Sequence, residues 1–347
     1  MSSTAPVPVS WEPEFTRKHN LFIAVLLGIL PVFGYWMSSV GIVPQLFILT
    51  VFVVLTGLPH GALDITLLRG AGIGPLGMTG ALIIYIGLAG LVVAGFDRFP
   101  AVALTLFLGV AWIHFGLGDT ENLTGWQRFG ECFARGGLSI AGPLAFHYDE
   151  TLGLFTQLCG PASQGNLLEM THFVKWYLCP FWLAACLLMV SLRIRSALYR
   201  SSSPKARNDD FLAAWEIVSL ALLFWLWPPL AAFGVYFCLV HSVRHLVQLT
   251  EARQPHDLRL AARWLWRESW PVIGLTLLLG AVLIWHWGGG LELDTLVLRL
   301  LFIGLAALTM PHMLLTYWWY HRGKPIPGDF FTKLRITPHS QGQSRVS

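Results

Sequence analysis

Long apolar stretches alternate with short polar segments along the chain. A helix needs roughly 17–25 mostly apolar residues to cross the hydrocarbon core of a bilayer. The clear stretches predict spans at 21–38, 42–58, 77–96, 101–118, 172–192, 212–228, 230–248, 270–287 and 296–318. A further stretch, 133–148, is a weaker candidate because it contains Gly136, Gly137 and Pro143.

The Lys and Arg residues give the orientation of these spans. If 133–148 also crosses, the basic loops 193–210 and 250–268 fall on the same side as both termini. Cytoplasmic loops carry the excess of Lys and Arg, so that side is the cytoplasm. The sequence therefore predicts an all-α, polytopic transmembrane helical bundle of about ten spans, with cytoplasmic N- and C-termini.

The same pattern predicts one membrane-embedded domain between two polar ends. That domain covers 21–320, and the cytoplasmic tails cover 1–20 and 321–347. Composition agrees, because 55% of the residues are hydrophobic and only 12% are charged, about half the charged fraction typical of soluble domains. The five cysteines form no CxxC pair, which argues against a disulfide framework or a thiolate metal site.

Eight of the 12 histidines lie within or beside predicted spans, and three of these, His147, His172 and His286, lie toward the outer face, which leaves five. An ionisable side chain in a membrane span is costly, so its presence there suggests a function. In the ten-span arrangement all five lie at a similar depth, in the cytoplasmic half of the membrane. They are His60, His114, His241, His245 and His312.

Four of these histidines form a candidate metal site. His241 and His245 are four residues apart, so they project from one face of a helix. His60 and His114 lie beside glycines at a matching depth. The alternative to a metal site is that His241 and His245 are hydrogen-bonded to each other or to the backbone. An all-imidazole set suits Zn, Cu, Fe or Ni and disfavours Mg and Ca.

Charged residues close to these histidines are candidates for a supporting shell. Asp64 lies one turn after His60 and could accept its distal N–H, an arrangement common around metal-bound histidines. Asp119 is the other nearby carboxylate, and either acid could instead complete a two-histidine, one-carboxylate site. Arg244 could bind such a carboxylate or extend to the membrane surface.

These motifs resemble a known family. They occur in the order Pro59-His60-Gly61 with Asp64, His114-Phe115-Gly116 with Asp119, His241-Ser242 with Arg244-His245, and Pro311-His312. The set is similar to that of the Brp/Blh family of bacterial and archaeal membrane β-carotene 15,15'-dioxygenases, which supply retinal to microbial rhodopsins. The resemblance runs from about residue 42 to 318.

The resemblance implies a non-haem Fe(II) enzyme of the cell membrane that uses O₂ to cleave β-carotene centrally into two retinals. It implies His60, His114, His241 and His245 as iron ligands and a further role for His312. The partners are then β-carotene, O₂, the lipid bilayer and a rhodopsin that receives retinal, with no nucleic acid. Aromatic candidates for an apolar substrate tunnel are Trp112, Phe115, Tyr236, Phe237 and Tyr317, although each could equally serve helix packing.

Two other classes of membrane protein have to be considered. A di-iron hydroxylase or desaturase needs about eight histidines in cytoplasmic clusters, whereas this chain has one HxxxH pair and five suitably placed histidines. A transporter with a histidine relay would be expected to carry acidic residues deep in its spans. Here Asp and Glu lie mostly near the ends of the predicted spans.

Overall fold

The structure, a computed structural model, describes residues 14–70, 73–120, 123–201, 203–253 and 258–321. These residues form helices and no strand, which confirms the predicted all-α class. The α-helices are α1 (Glu14–Ile29), α2 (Gly34–Ser38), α3 (Ile42–Phe52), α4 (Leu58–Ala62), α5 (Asp64–Gly70), α6 (Pro75–Arg98), α7 (Pro100–Gly118), α8 (Gly125–Gly137), α9 (Ala141–Phe146), α10 (Tyr148–Cys159), α11 (Gln164–Phe173), α12 (Cys179–Tyr199), α13 (Pro204–Leu226), α14 (Pro229–Gly234), α15 (Ser242–Arg253), α16 (Leu258–Trp287) and α17 (Leu293–His321).

Eight helical segments in the described part of the chain are long and apolar enough to cross a membrane. Two predicted spans are not among them. The span at 133–148 is divided between α8 and α9, which are separated by a turn, and 212–228 belongs to α13, whose first half is charged. The polytopic bundle is confirmed, whereas ten spans and cytoplasmic termini stay predictions.

Helices α8 and α9 nevertheless lie beside the second half of α13. Arg135 in α8 forms an ion pair with Glu216 in the middle of α13. Nε2 of His147, just after α9, lies 3.0 Å from the carbonyl oxygen of Trp225 near the end of α13. The broken α8–α9 segment therefore extends as far as the helix beside it.

The described residues include part of the predicted N-terminal tail and almost none of the predicted C-terminal tail. α1 already begins at Glu14, so the last residues of the predicted N-terminal tail, including His19, are helical. The predicted C-terminal tail lies almost entirely outside the described residues, which end at His321. The single membrane-embedded domain also stays a prediction.

Small residues allow α7 and α8 to pack closely. A Cβ atom at Gly116 in α7 would overlap the backbone oxygen of Cys132, and one at Gly136 in α8 would overlap that of Trp112. Only glycine tolerates this approach, which is common between helices in membranes. Because His114 lies two residues before Gly116, this contact also sets the position of one candidate ligand.

Three helices contain π-helical segments, in which the hydrogen bond joins residue i to i+5 instead of i+4. One, Val53–Gly57, joins α3 to α4 and lies just before His60. Another, Val235–His241, joins α14 to α15 and ends on a histidine. The third, Val174–Leu178, lies far along the chain from the five candidate histidines. π-Helical turns are rare and are frequently found at functional sites.

Candidate metal centre

Five histidine rings, those of His60, His114, His241, His245 and His312, meet in the interior of the bundle, and His60 is at their centre. Its ring centroid lies 4.5 Å from that of His245, 5.1 Å from His312, 5.4 Å from His241 and 6.1 Å from His114. The structure thus brings together all four predicted ligands. We call these five residues the histidine cluster.

His312, whose role the motifs left open, is a full member of the histidine cluster. Its ring centroid lies 5.3 Å from that of His114. One ring nitrogen from each of His60, His114 and His312 lies within 4.8 Å of the other two, close enough for all three to bind one metal ion. Among the described residues, this is the group of at least three His, Cys, Asp or Glu side chains whose ligand atoms all lie within that distance of one another.

Two members of the cluster have buried ring nitrogens without a hydrogen-bond partner. Both Nδ1 and Nε2 of His60 are in this state, and so is Nε2 of His241. Buried polar atoms are nearly always paired, so each exception needs an explanation. A metal ion among the rings would bind one nitrogen of each ring, which would give a partner to one nitrogen of His60 and to Nε2 of His241, so the donor set fits a metal that prefers imidazole.

Local sequence explains how the helices present these rings. The π-helical segments directly before His60 and at His241 break the regular α-helical succession of side chains. His114 lies in the last turn of α7, near the close contact with α8. In α17, Pro311 removes one backbone N–H from the helix just before His312, which loosens that turn.

Asp64 binds His312, whereas the sequence had suggested His60 as its partner. Its Oδ1 lies 2.7 Å from Nδ1 of His312, and both side chains are buried. The predicted contact with His60 required an unbroken helix, but α4 ends at Ala62 and Asp64 begins α5. The change of direction points the carboxylate toward α17. An ionised carboxylate only accepts hydrogen bonds, so Nδ1 of His312 donates.

Asp119 takes a similar position beside His241. Its Oδ1 lies 3.7 Å from Nδ1 of that ring and accepts a hydrogen bond from Arg244 at 3.1 Å. The Tyr236 hydroxyl donates to Oδ2 at 2.9 Å. Arg244 therefore binds a carboxylate within the bundle and does not extend to the membrane surface.

A chain of buried ion pairs continues from Arg244, and the sequence analysis did not find it. Arg244 and Arg135 both bind Oε1 of Glu216, at 2.7 and 3.1 Å. Arg135 also binds Glu131 at 3.1 Å, one turn earlier in α8. Arg193 then joins Glu131 to Asp210. The i,i+4 spacing of Glu131 and Arg135 was a sequence signal for one of these pairs.

This ion-pair chain bears on the transporter alternative. Acidic residues are present inside the bundle, contrary to the expectation from the span ends. Asp64 is held by His312 and Tyr85, whereas the acids of the ion-pair chain are paired with arginine. An arginine stays protonated at all physiological pH values. Carboxylates held in this way are fixed charges, unlike the exchangeable groups that a proton relay needs.

An apolar cavity begins beside the histidine cluster. Phe115 lines it, and the same ring lies 4.8 Å from that of His241. Five lining residues on α7 are three or four positions apart and share one helix face that is about 16 Å long. They are Leu104, Phe107, Leu108, Ala111 and Phe115, and further walls come from Phe155, Leu230, Phe233 and Phe302.

The five predicted tunnel residues have different surroundings. Phe115 lines the cavity. Trp112 donates to the carbonyl of Phe133 and packs on α8, and Tyr236 is buried against Asp119. Phe237 stacks on Phe233, which lines the cavity, at a centroid distance of 5.5 Å. The side chain of Tyr317 lies outside the described part of the structure.

The chain is similar to proteins of one known family. The family described as β-carotene 15,15'-dioxygenase matches residues 51–320, which include the whole histidine cluster. β-Carotene 15,15'-dioxygenase from uncultured marine bacterium 66A03 is 28% identical over 280 residues, covering 76% of this chain and 90% of the relative. Probable β-carotene 15,15'-dioxygenase Blh from Halobacterium salinarum is 29% identical over 290 residues, covering 76% of this chain and 81% of the relative. No solved structure matches the chain.

The matched region is well over half of the chain, and it contains every motif on which the resemblance to the Brp/Blh family rested. That resemblance is therefore confirmed: the chain belongs to the β-carotene 15,15'-dioxygenase family.

Proposed function

We propose that this protein is a non-haem Fe(II) dioxygenase that cleaves β-carotene at its central double bond, using O₂, to give two molecules of all-trans-retinal. One observation carries the proposal. Five histidines, three buried and two half-buried, lie together in the bundle, several of their nitrogens lack a partner, and an apolar cavity starts beside them. The family and the names of the two relatives supply the reaction.

His60, His114, His241 and His245 are the proposed iron ligands, with His312 as a fifth candidate. Neutral imidazoles bind through one nitrogen and donate through the other, so Asp64 on His312 and Asp119 on His241 hold two of the rings. Both carboxylates have their oxygens engaged in these contacts, which favours a supporting role over direct ligation. Iron bound there would supply the oxygen chemistry for which no protein side chain is suited.

The remaining residues bind and orient the substrate. β-Carotene is a hydrocarbon dissolved in the bilayer, so a cavity lined by Leu and Phe side chains matches its surface. Phe115 contacts both the cavity and the His241 ring, and it therefore lies where the polyene approaches the cluster. Among the cavity-lining residues, only Ser139 and Thr151 have polar side chains, so no acid or base needs to act on the substrate.

The product is also apolar and stays in the membrane. A microbial rhodopsin in the same cell membrane is the proposed recipient of retinal. The surface of the bundle fits such a location, because large apolar side chains are exposed along the helices, among them Ile83, Leu91 and Leu106. A soluble protein rarely exposes so much contiguous apolar area.

Expression in a bacterial host that makes β-carotene tests the function. Orange cells should become pale and yield retinal, whereas cells expressing His60→Ala should stay orange. Purified protein should contain about one iron per chain and should need O₂ for turnover. Unchanged carotenoid in cells that contain folded, iron-loaded protein would overturn the proposal, and a hydroxylated carotenoid as product would identify a hydroxylase instead.

A further inference from the structure

Tyr85 is the first of two tyrosines that bind a carboxylate beside the histidine cluster. It lies in the middle of α6, and its hydroxyl is 3.2 Å from Oδ2 of Asp64. The same hydroxyl is 3.2 Å from the backbone oxygen of Leu308 in α17, one turn before His312. Oδ1 of Asp64 in turn binds Nδ1 of His312. Tyr85, Asp64 and His312 thus form a continuous chain that ends at the cluster.

Tyr236 repeats this arrangement on the other side. Its hydroxyl donates to Oδ2 of Asp119, while Oδ1 of Asp119 faces Nδ1 of His241. The two chains come from different helices and share no residue. They have the same order of groups, but the last link differs: Asp64 is hydrogen-bonded to His312 at 2.7 Å, whereas Asp119 lies 3.7 Å from His241, beyond hydrogen-bond distance.

We propose that Tyr85 and Tyr236 are positioning residues that orient His312 and His241 toward a bound metal ion. This inference rests on the proposed metal site. A carboxylate held by one oxygen can rotate about its Cβ–Cγ bond, and a hydroxyl on the other oxygen stops that rotation. The fixed carboxylate then holds the proton on Nδ1 and leaves Nε2 of the histidine for the metal.

The two tyrosines contribute unequally. Asp119 also binds Arg244, and hydrogen bonds between charged partners are roughly twice as strong as neutral ones. Without the Tyr236 hydroxyl, Asp119 would therefore keep its orientation. No arginine binds Asp64 among the residues that the structure describes, so the Tyr85 hydroxyl is the group that fixes its second oxygen.

The test measures metal binding in purified protein that carries Tyr85→Phe or Tyr236→Phe. Affinity for Fe(II) is measured without oxygen by competition with a chelator, and Co(II) serves as a spectroscopic probe of the ligand geometry. Loss of a supporting group typically weakens metal binding 10–100-fold. Tyr85→Phe should weaken Fe(II) binding about 10-fold and shift the Co(II) absorption bands, and Tyr236→Phe should change both clearly less.

Tyr148→Phe is the matched control. Its hydroxyl is hydrogen-bonded to Thr171 at 3.0 Å, far along the chain from every cluster histidine, so its loss should leave metal binding at the wild-type value. The thermal midpoint of the metal-free protein separates positioning from anchoring. If Tyr85→Phe lowers that midpoint but keeps wild-type affinity and an unchanged Co(II) spectrum, Tyr85 only ties α6 to Leu308 and the inference is wrong.

The outcomes also distinguish this inference from the proposed function. Wild-type protein that binds neither Fe(II) nor Co(II) would overturn the metal site itself. Wild-type protein that binds both metals, with Tyr85→Phe indistinguishable from it, would overturn only the positioning role. A larger effect of Tyr236→Phe than of Tyr85→Phe would contradict the argument from Arg244.

Discussion

Nδ1 of His312 lies 2.7 Å from Oδ1 of Asp64, although 248 positions separate the two residues in the chain. The contact joins the start of α5 to the middle of α17 and places a buried negative charge directly behind a histidine of the cluster. A metal ion and a carboxylate on opposite sides of one imidazole stabilise each other, because the ring transmits the polarisation between them.

Asp64→Asn should weaken Fe(II) binding about 10–100-fold without preventing membrane insertion. An amide keeps the size of the carboxylate but removes its charge. The His312 ring then becomes less basic and binds the metal ion more weakly. Chelator competition measures the affinity, and Asp97→Asn, at a more exposed carboxylate on α6, is the control. Complete loss of iron would indicate direct ligation by Asp64, and wild-type affinity would leave it no role at the metal.

His60→Ala should abolish both bound iron and retinal formation. The His60 ring lies closest to the centre of the cluster, and neither of its ring nitrogens has a hydrogen-bond partner. Elemental analysis gives the iron content and chromatography gives the retinal. His172→Ala, at an exposed histidine of α11, should keep both. Full activity of His60→Ala would remove this residue from the ligand set.

Glu216→Gln should destabilise the folded protein by about 3 kcal/mol, since removing one partner of a buried ion pair costs about 3–5 kcal/mol. Arg244 and Arg135 share one oxygen of Glu216, so the variant leaves two buried arginines with less compensation. The free energy of unfolding in detergent measures the effect. Glu169→Gln, at an exposed glutamate, provides the baseline, and an equal effect of both changes would contradict the prediction.

Gly116→Ala should destabilise the protein by about 1–3 kcal/mol, the usual cost of an extra methyl group in a tightly packed position. The new Cβ would push α8 away from α7 at Cys132 and displace His114, which should also lower iron affinity. Gly109→Ala lies on the same helix with open space around it and should be tolerated. Equal unfolding curves for the two variants would argue against the close contact.

Cysteine labelling tests the predicted orientation. Cysteines introduced at Arg200 and Leu260 should react only with a reagent on the cytoplasmic side, and those at Arg98 and Gly290 only from outside. All four positions are exposed, so accessibility within the fold does not limit the reaction. Labelling of both pairs from the same side would rule out the ten-span arrangement.

Much of the site could be predicted because its signals are local. An apolar stretch reveals a span wherever it occurs, and a histidine within one stands out. The spacing of His241 and His245 places them on one face without knowledge of any other helix. The depth of His60, His114 and His312 followed from span boundaries alone, and the structure brings all five together.

The supporting contacts could not be predicted, because they depend on where helices end and how they pack. Nothing in the sequence around Asp64 shows that α4 ends at Ala62, and this end decides between His60 and His312 as its partner. Tyr85 has no local signal, since its partner Leu308 is 223 positions away. Glu216 could have been suspected as a lone acid in an apolar stretch, but only packing pairs it with Arg135.

The π-helical segments at Val53–Gly57 and Val235–His241 have a consequence for how this family can vary in sequence. Each i→i+5 bond encloses one residue more than an α-helical bond, and one residue corresponds to about 100° of rotation in a helix of 3.6 residues per turn. A single-residue deletion within either segment would restore regular helix and turn the following histidines away from the cluster. Gaps of one residue in these two places are therefore not neutral length variation: they separate chains that can assemble the centre from chains that cannot.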